Sequence, residues 1–138
     1  MSELSRIGVA IPSELLARFD EHISKHGYSN RSEAFRDLIR DELIRKTLES
    51  PDSDVVGSVI LVYDHHVRML NEKLIEMQHH HHERILSTLH VHLDHDNCLE
   101  VVIVKGKARD IQVLAESLIS TKGVKHGRLM LTTSGGSV

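Results

Sequence analysis

The sequence predicts an α+β chain in two parts: a strand followed by two helices, then a second unit of order βαββαβ. Three observations point there. Residues 5–11 alternate large apolar residues with small or charged ones, and two stripes of helical period follow directly. A Pro-bearing acidic stretch, residues 49–54, then interrupts the apolar pattern. Beyond it, segments of period two and period 3.6 succeed one another in the order of a ferredoxin-like split unit.

The break divides the 138 residues into a first domain over 1–48, a linker over 49–54, a second domain over 55–132 and a disordered tail over 133–138. The formal net charge is −3, and within residues 1–48 eight Lys and Arg meet eight Asp and Glu. Any case for nucleic-acid binding therefore rests on placement rather than net charge. A single cysteine cannot form an intrachain disulfide and no charged-then-apolar leader opens the chain, so a reducing, cytoplasmic setting is expected. The longest apolar run, residues 59–63, is far too short to span a bilayer, and no membrane partner is expected.

In the first domain Ile7, Val9 and Ile11 share one strand face, and Arg6, Gly8 and Ala10 the other. Pro12 stops the strand and Ser13 is the expected cap. Leu15, Leu16, Phe19 and Ile23 then recur at helical spacing until Gly27. A second helix starts near Ser29 and Asn30, with Glu33 placed to complete a capping box, and carries Phe35, Leu38, Ile39 and Leu43 as its stripe. One strand and two helices bury their apolar faces poorly alone, so a second copy is expected to pair strand with strand. The resulting two-stranded ribbon would turn Arg6, Gly8 and Ala10 outward into a DNA major groove. The helix start at Asn30, Arg31 and Ser32 would offer amides and an arginine to phosphate.

The second domain opens with a near-continuous apolar strand over 55–63. Val67, Leu70, Leu74 and Ile75 mark a helix running into Gln78 and the histidines 79–82. Residues 84–93 alternate again, with Ile85, Leu89, Val91 and Leu93 expected on the buried face and Leu86, Thr88, His90 and His92 on the other. The turn residues 94–97 return the chain into a strand over 98–104, where Leu99, Val101 and Ile103 suit the buried face and Cys98 and Glu100 the histidine face. Ile111, Leu114, Leu118 and Ile119 form a last helix, closed by Gly123, ahead of a final strand over 124–132.

Residues 79–98 concentrate seven of the twelve histidines and the only cysteine. His90 and His92 stand ~6.6 Å apart along one strand face, and a hairpin centred on His95 sets Cys98 opposite His92, with Cβ atoms ~4.5–5.5 Å apart. Imidazole and thiolate together suit borderline divalent metals, leaving Ni(II), Cu(II), Zn(II) and Co(II) open. The helix carrying His79–His82 is expected to cover the face opposite His90 and His92, so a fourth histidine would come from another subunit. Three imidazoles and a thiolate leave no water position, and no nucleophile–base pair emerges, so an enzyme is not expected.

With these residues in view, the chain resembles the nickel-responsive transcription factors of the NikR family. The resemblance is carried by residues 27–34, 78–82, 88–100 and 124–127, in order along essentially residues 5–132. It implies a ribbon-helix-helix domain joined to a ferredoxin-like (ACT-type) regulatory domain. It implies one square-planar Ni(II) per subunit, held by His90, His92 and Cys98 of one subunit and His79 of another, with Tyr63 and Glu100 supporting these ligands. It implies a homotetramer, a dimer of dimers, that binds palindromic operator half-sites in double-stranded DNA and represses nickel-uptake genes. Glu33 and Asp37 match a second cation site of some members. The best-known members carry polar residues where this chain has Gly8 and Ala10, so fewer bases can be read directly. The competing readings are a metal-storage or delivery protein and an ACT-type small-molecule sensor.

Overall fold

The computed structural model describes residues 3–67 and 70–136, which fall into two compact units that divide between Glu42 and Leu43. In the first unit residues 3–12 form no ladder, and Ile7 and Val9 are 82% and 64% exposed. A strand of this length is stable only when paired, and the single chain offers it no partner.

Helix α1 spans Ser13–Lys25. Ser13 is not its cap: Pro12 holds the cap position, no side chain bonds the free amides, and the Pro12 carbonyl accepts from Leu16 N at 3.0 Å. Proline's fixed φ already suits a helix entrance, so the hydroxyl is not needed. The helix ends at Gly27 with φ 76°, where Tyr28 N bonds the Ile23 carbonyl and Gly27 N that of Ser24. That pair of bonds is a Schellman closure, and its left-handed residue favours glycine. Helix α2 spans Arg31–Leu48 and is capped by Asn30, whose Oδ1 accepts from Glu33 N at 3.0 Å. The Glu33 carboxylate reaches back to Ser29 N at 3.4 Å, one residue before the cap. Phe19 and Phe35 stack with centroids 5.0 Å apart, joining α1 to α2.

The second unit contains β1 (Asp54–Asp64), α3 (Leu70–His80), β2 (Ile85–His92), β3 (Asn97–Lys107), α4 (Ala108–Ile119) and β4 (Val124–Thr132). The strands form an antiparallel sheet of order β2-β3-β1-β4, the ferredoxin-like arrangement. Val55, Val59, Leu61 and Tyr63 of β1 and Cys98, Val102 and Val104 of β3 are buried, with Leu70 and Leu74 of α3 and Ile111, Leu114 and Leu118 of α4 in the same core.

The faces are therefore the reverse of the sequence expectation. Cys98 and Glu100 lie on the helix-covered face, together with their ladder partners His92 and His90. Leu99, Val101 and Ile103 share the open face with Leu89, Val91 and Leu93, of which the last three are 59%, 37% and 52% exposed. Residues 101–104 are apolar on both faces, so alternation alone does not say which face the helices take. Ile85 departs from its expected companions because the β2–β3 register shifts between Ile85 and Ser87, which turns Ile85 onto the core. Residues 133–136 follow β4 outside any strand or helix, and the end of the expected tail, 137–138, lies outside the described residues.

Candidate metal centre

The β2–β3 turn is built by Asp94. Its Oδ1 accepts from the amides of Asp96 and Asn97 at 2.9 Å each, and the Asn97 side-chain amide donates to both of its oxygens at 3.1 Å. The Asn97 side chain and then these two amides hold the Asp94 carboxyl below the usual carboxylate range. This turn sets His92 opposite Cys98 and His90 opposite Glu100. Cys98 Sγ lies 3.4 Å from His92 Nδ1.

Tyr63 of β1 pairs with Cys98, and His65, two residues on, comes down beside His92 with ring centroids 5.6 Å apart. One donor atom from each of His65, His92 and Cys98 lies within 4.8 Å of the others. His65 Nδ1 is buried and has no hydrogen-bond partner. Leaving such a group unpaired costs about 1–3 kcal/mol. A histidine with an unpaired ring nitrogen, clustered with a thiol and a second imidazole, suits a borderline divalent ion such as Ni(II).

His90 lies on the same face, but its Nδ1 is 3.4 Å from the Tyr63 hydroxyl, which donates to Asn71 Oδ1 at 3.0 Å. Burial, then the charges of Glu100 and Cys98, push the Tyr63 phenol well above its usual range, so it stays a proton donor. Burial, then Asp94, Glu100 and Asp64, push the Cys98 thiol up, so a metal ion must displace its proton on binding. Glu100 accepts from Gln78 Nε2 at 2.9 Å, and Gln78 Oε1 accepts from Thr88 at 3.0 Å. Helix α3 thus stands over the histidine face, not opposite it as expected. His79, one residue past Gln78, is rotated about 100° around the helix; it is exposed, its ring 6.4 Å from that of His82, and outside the cluster around Cys98.

Among the described residues two clusters carry three metal-donor side chains, and neither includes Glu33 or Asp37. Asp37 accepts from the Tyr28 hydroxyl at 2.7 Å and pairs with Arg40 at 3.5 Å. Arg6, Gly8, Ala10 and Ser32 are exposed. Arg31 is held at both ends of its guanidinium edge by Asp20, at 2.9 and 2.8 Å. That hydrogen-bonded pair lowers the Asp20 pKa. Any stability it adds is present above the ordinary aspartate pKa of about 3.9 and is lost as pH falls through the lower folded value. In Arg31→Ala the Asp20 carboxyl midpoint, followed by NMR, is expected to rise toward the ordinary value; an unmoved midpoint would show that the pair is not maintained in solution. Sequence reasoning missed His65 and His66. The available signal was parity with Tyr63, but it becomes visible only once β1 is paired with β3.

Two helices, preceded by a short segment that alternates apolar with small or charged residues, ahead of a ferredoxin-like sheet bearing a His and Cys cluster are the build of a two-domain, metal-responsive transcription regulator. Residues 56–132 match the NikR C-terminal nickel-binding domain, and residues 5–46 the ribbon-helix-helix proteins of the CopG family. The chain is 68% identical over 138 residues to a protein of Solibacter usitatus, covering 100% of this chain and 99% of that one. It is 56% identical over 135 residues to one of Geobacter sulfurreducens (98% and 97% covered). It is 52% identical over 130 residues to one of Caldanaerobacter subterraneus (94% and 84% covered). Each of these is named as a nickel-responsive regulator. The chain belongs to the NikR family.

Proposed function

We propose that this chain is a Ni(II)-dependent DNA-binding repressor of nickel-uptake genes, acting as a cytoplasmic homotetramer with one ion per subunit. The observation that carries the metal reading is the contact of Cys98 with His92, with His90 on the same face of the sheet. His90, His92 and Cys98 of one subunit and His79 of a second would hold the ion. Tyr63 would orient His90, and Glu100, fixed by Gln78, would lie across the ladder from it. When bound, the ion supplies a cross-link between side chains of two subunits, which couples metal occupancy to assembly. The outward position of His79 on α3 suits a donor offered to a neighbouring chain rather than to its own.

Two unpartnered apolar surfaces support assembly. In the first unit Ile7, Val9, Leu38 and Ile39 are exposed, as expected of a ribbon that pairs with a second copy. In the second unit the open sheet face carries Ile60, Leu89, Val91, Leu93 and Met130. Paired ribbons give a dimer, and packing through the sheet unit doubles it. Leu89→Asp with Val91→Asp is therefore expected to reduce the solution mass from tetramer to dimer in light scattering. A tetramer that survives both charges would remove the sheet face from the assembly. No helix among the described residues is long and apolar enough to cross a membrane.

A mobility-shift assay on DNA upstream of the protein's own gene and of nickel-uptake genes tests the function. A shift that requires Ni(II) is expected. Nickel binding without any shift would favour the storage or delivery reading.

A further inference from the structure

We propose that His66, His95 and Asp96 form a second binding site for a divalent transition-metal ion, on the surface and separate from the Cys98 cluster. His66 Nε2 lies 3.4 Å from His95 Nδ1 and 3.2 Å from Asp96 Oδ1, and the last two atoms are 3.1 Å apart. An ion bonded at about 2.1 Å to imidazole nitrogen and carboxylate oxygen needs donors ~3.0 Å apart at 90° and ~3.4 Å apart at the tetrahedral angle. The three separations span that interval. A single ion can therefore sit above the triangle at bonding distance from all three atoms, with its remaining positions left to water.

The scaffold is rigid where the site needs it. His66 N donates to Asp64 Oδ1 at 2.8 Å, and His65 N donates to the Asp96 carbonyl at 3.1 Å, which pins the segment after β1 to the β2–β3 turn. Asp94 fixes the turn itself through Asp96 N. All three donor side chains are exposed, so a hydrated ion reaches them directly. The arrangement also closes without metal, since His66 Nε2 lies 3.0 Å from the His95 carbonyl oxygen and a neutral ring can donate there. Imidazole with one carboxylate and open water positions selects Zn(II), Co(II) or Ni(II) with weaker discrimination than a thiolate site.

The test uses the full-length chain with His92→Ala and Cys98→Ala, which silences the inner cluster, titrated with Zn(II) by calorimetry. One equivalent is expected to depend on the surface triad. Adding His95→Ala should remove that equivalent, and Asp96→Asn, which preserves shape, should weaken it by about tenfold or more. Circular dichroism of each variant confirms that the fold persists. An equivalent that survives both His66→Ala and His95→Ala lies elsewhere, for example on the histidine run 79–82, and overturns the proposal; so does the absence of any binding in the silenced chain. The inner site is judged separately, by the equivalent that the wild type has and the silenced chain lacks.

Discussion

Replacing Cys98 by serine is expected to weaken Ni(II) binding by roughly 10²- to 10³-fold and to abolish metal-dependent DNA binding. Apparent binding energies of about 10–16 kcal/mol for tightly held zinc, shared over four ligands, give about 2.5–4 kcal/mol per ligand. Each 1.4 kcal/mol is about a factor of ten. Serine keeps the shape but offers a hard hydroxyl that does not ionise near neutral pH, so the soft thiolate is lost. The fold should survive, because the buried position next to His92 Nδ1 gives the new hydroxyl a partner. The spectrum supplies a second readout. The wild-type Ni(II) complex should show a thiolate charge-transfer band and, if the site is planar, a diamagnetic ion; the band should vanish in the variant. Unchanged affinity or a persisting band would remove Cys98 from the ligand set.

Arg6→Ala is expected to abolish specific operator binding while leaving Ni(II) affinity unchanged. With Gly8 and Ala10 beside it, Arg6 is the residue on that strand face able to donate side-chain hydrogen bonds to bases. A paired ribbon presents it twice, and about 1–3 kcal/mol per copy amounts to roughly 30- to 10⁴-fold in affinity. None of the proposed donors His79, His90, His92 and Cys98 lies in that segment, so the metal should bind as before. Competition against unrelated DNA at fixed salt separates loss of specificity from loss of charge. An Arg6→Ala chain that still recognises its operator would show that the ribbon is not the reading element.

Local rules account for what the sequence made legible. The turn chemistry of residues 94–97 is confined to a few neighbouring side chains, so the register that sets His92 against Cys98 could be read before any fold was known. The same holds for Asn30 as a cap and Gly27 as a helix stop, both decided within one turn of chain. The order of strands and helices followed from periodicity.

Three features were not legible. Residues 101–104 are apolar toward both faces, so alternation gave the two faces of the sheet without saying which one the helices cover. The register shift at Ile85 arises from the pairing of whole strands and not from Ile85 itself. His65 joins His92 and Cys98 only because β1 runs beside β3, a contact between residues distant in the chain. By itself the sequence determined the two helices of the first unit, the elements of the second and their order, and the hairpin pair of His92 and Cys98, all of which depend on near neighbours; the expected strand over residues 5–11 forms no ladder in the single chain. The tertiary structure decided that this pair lies on the face the helices cover rather than opposite them, and that His65 comes beside it, because long-range packing selects between faces that local alternation leaves equivalent.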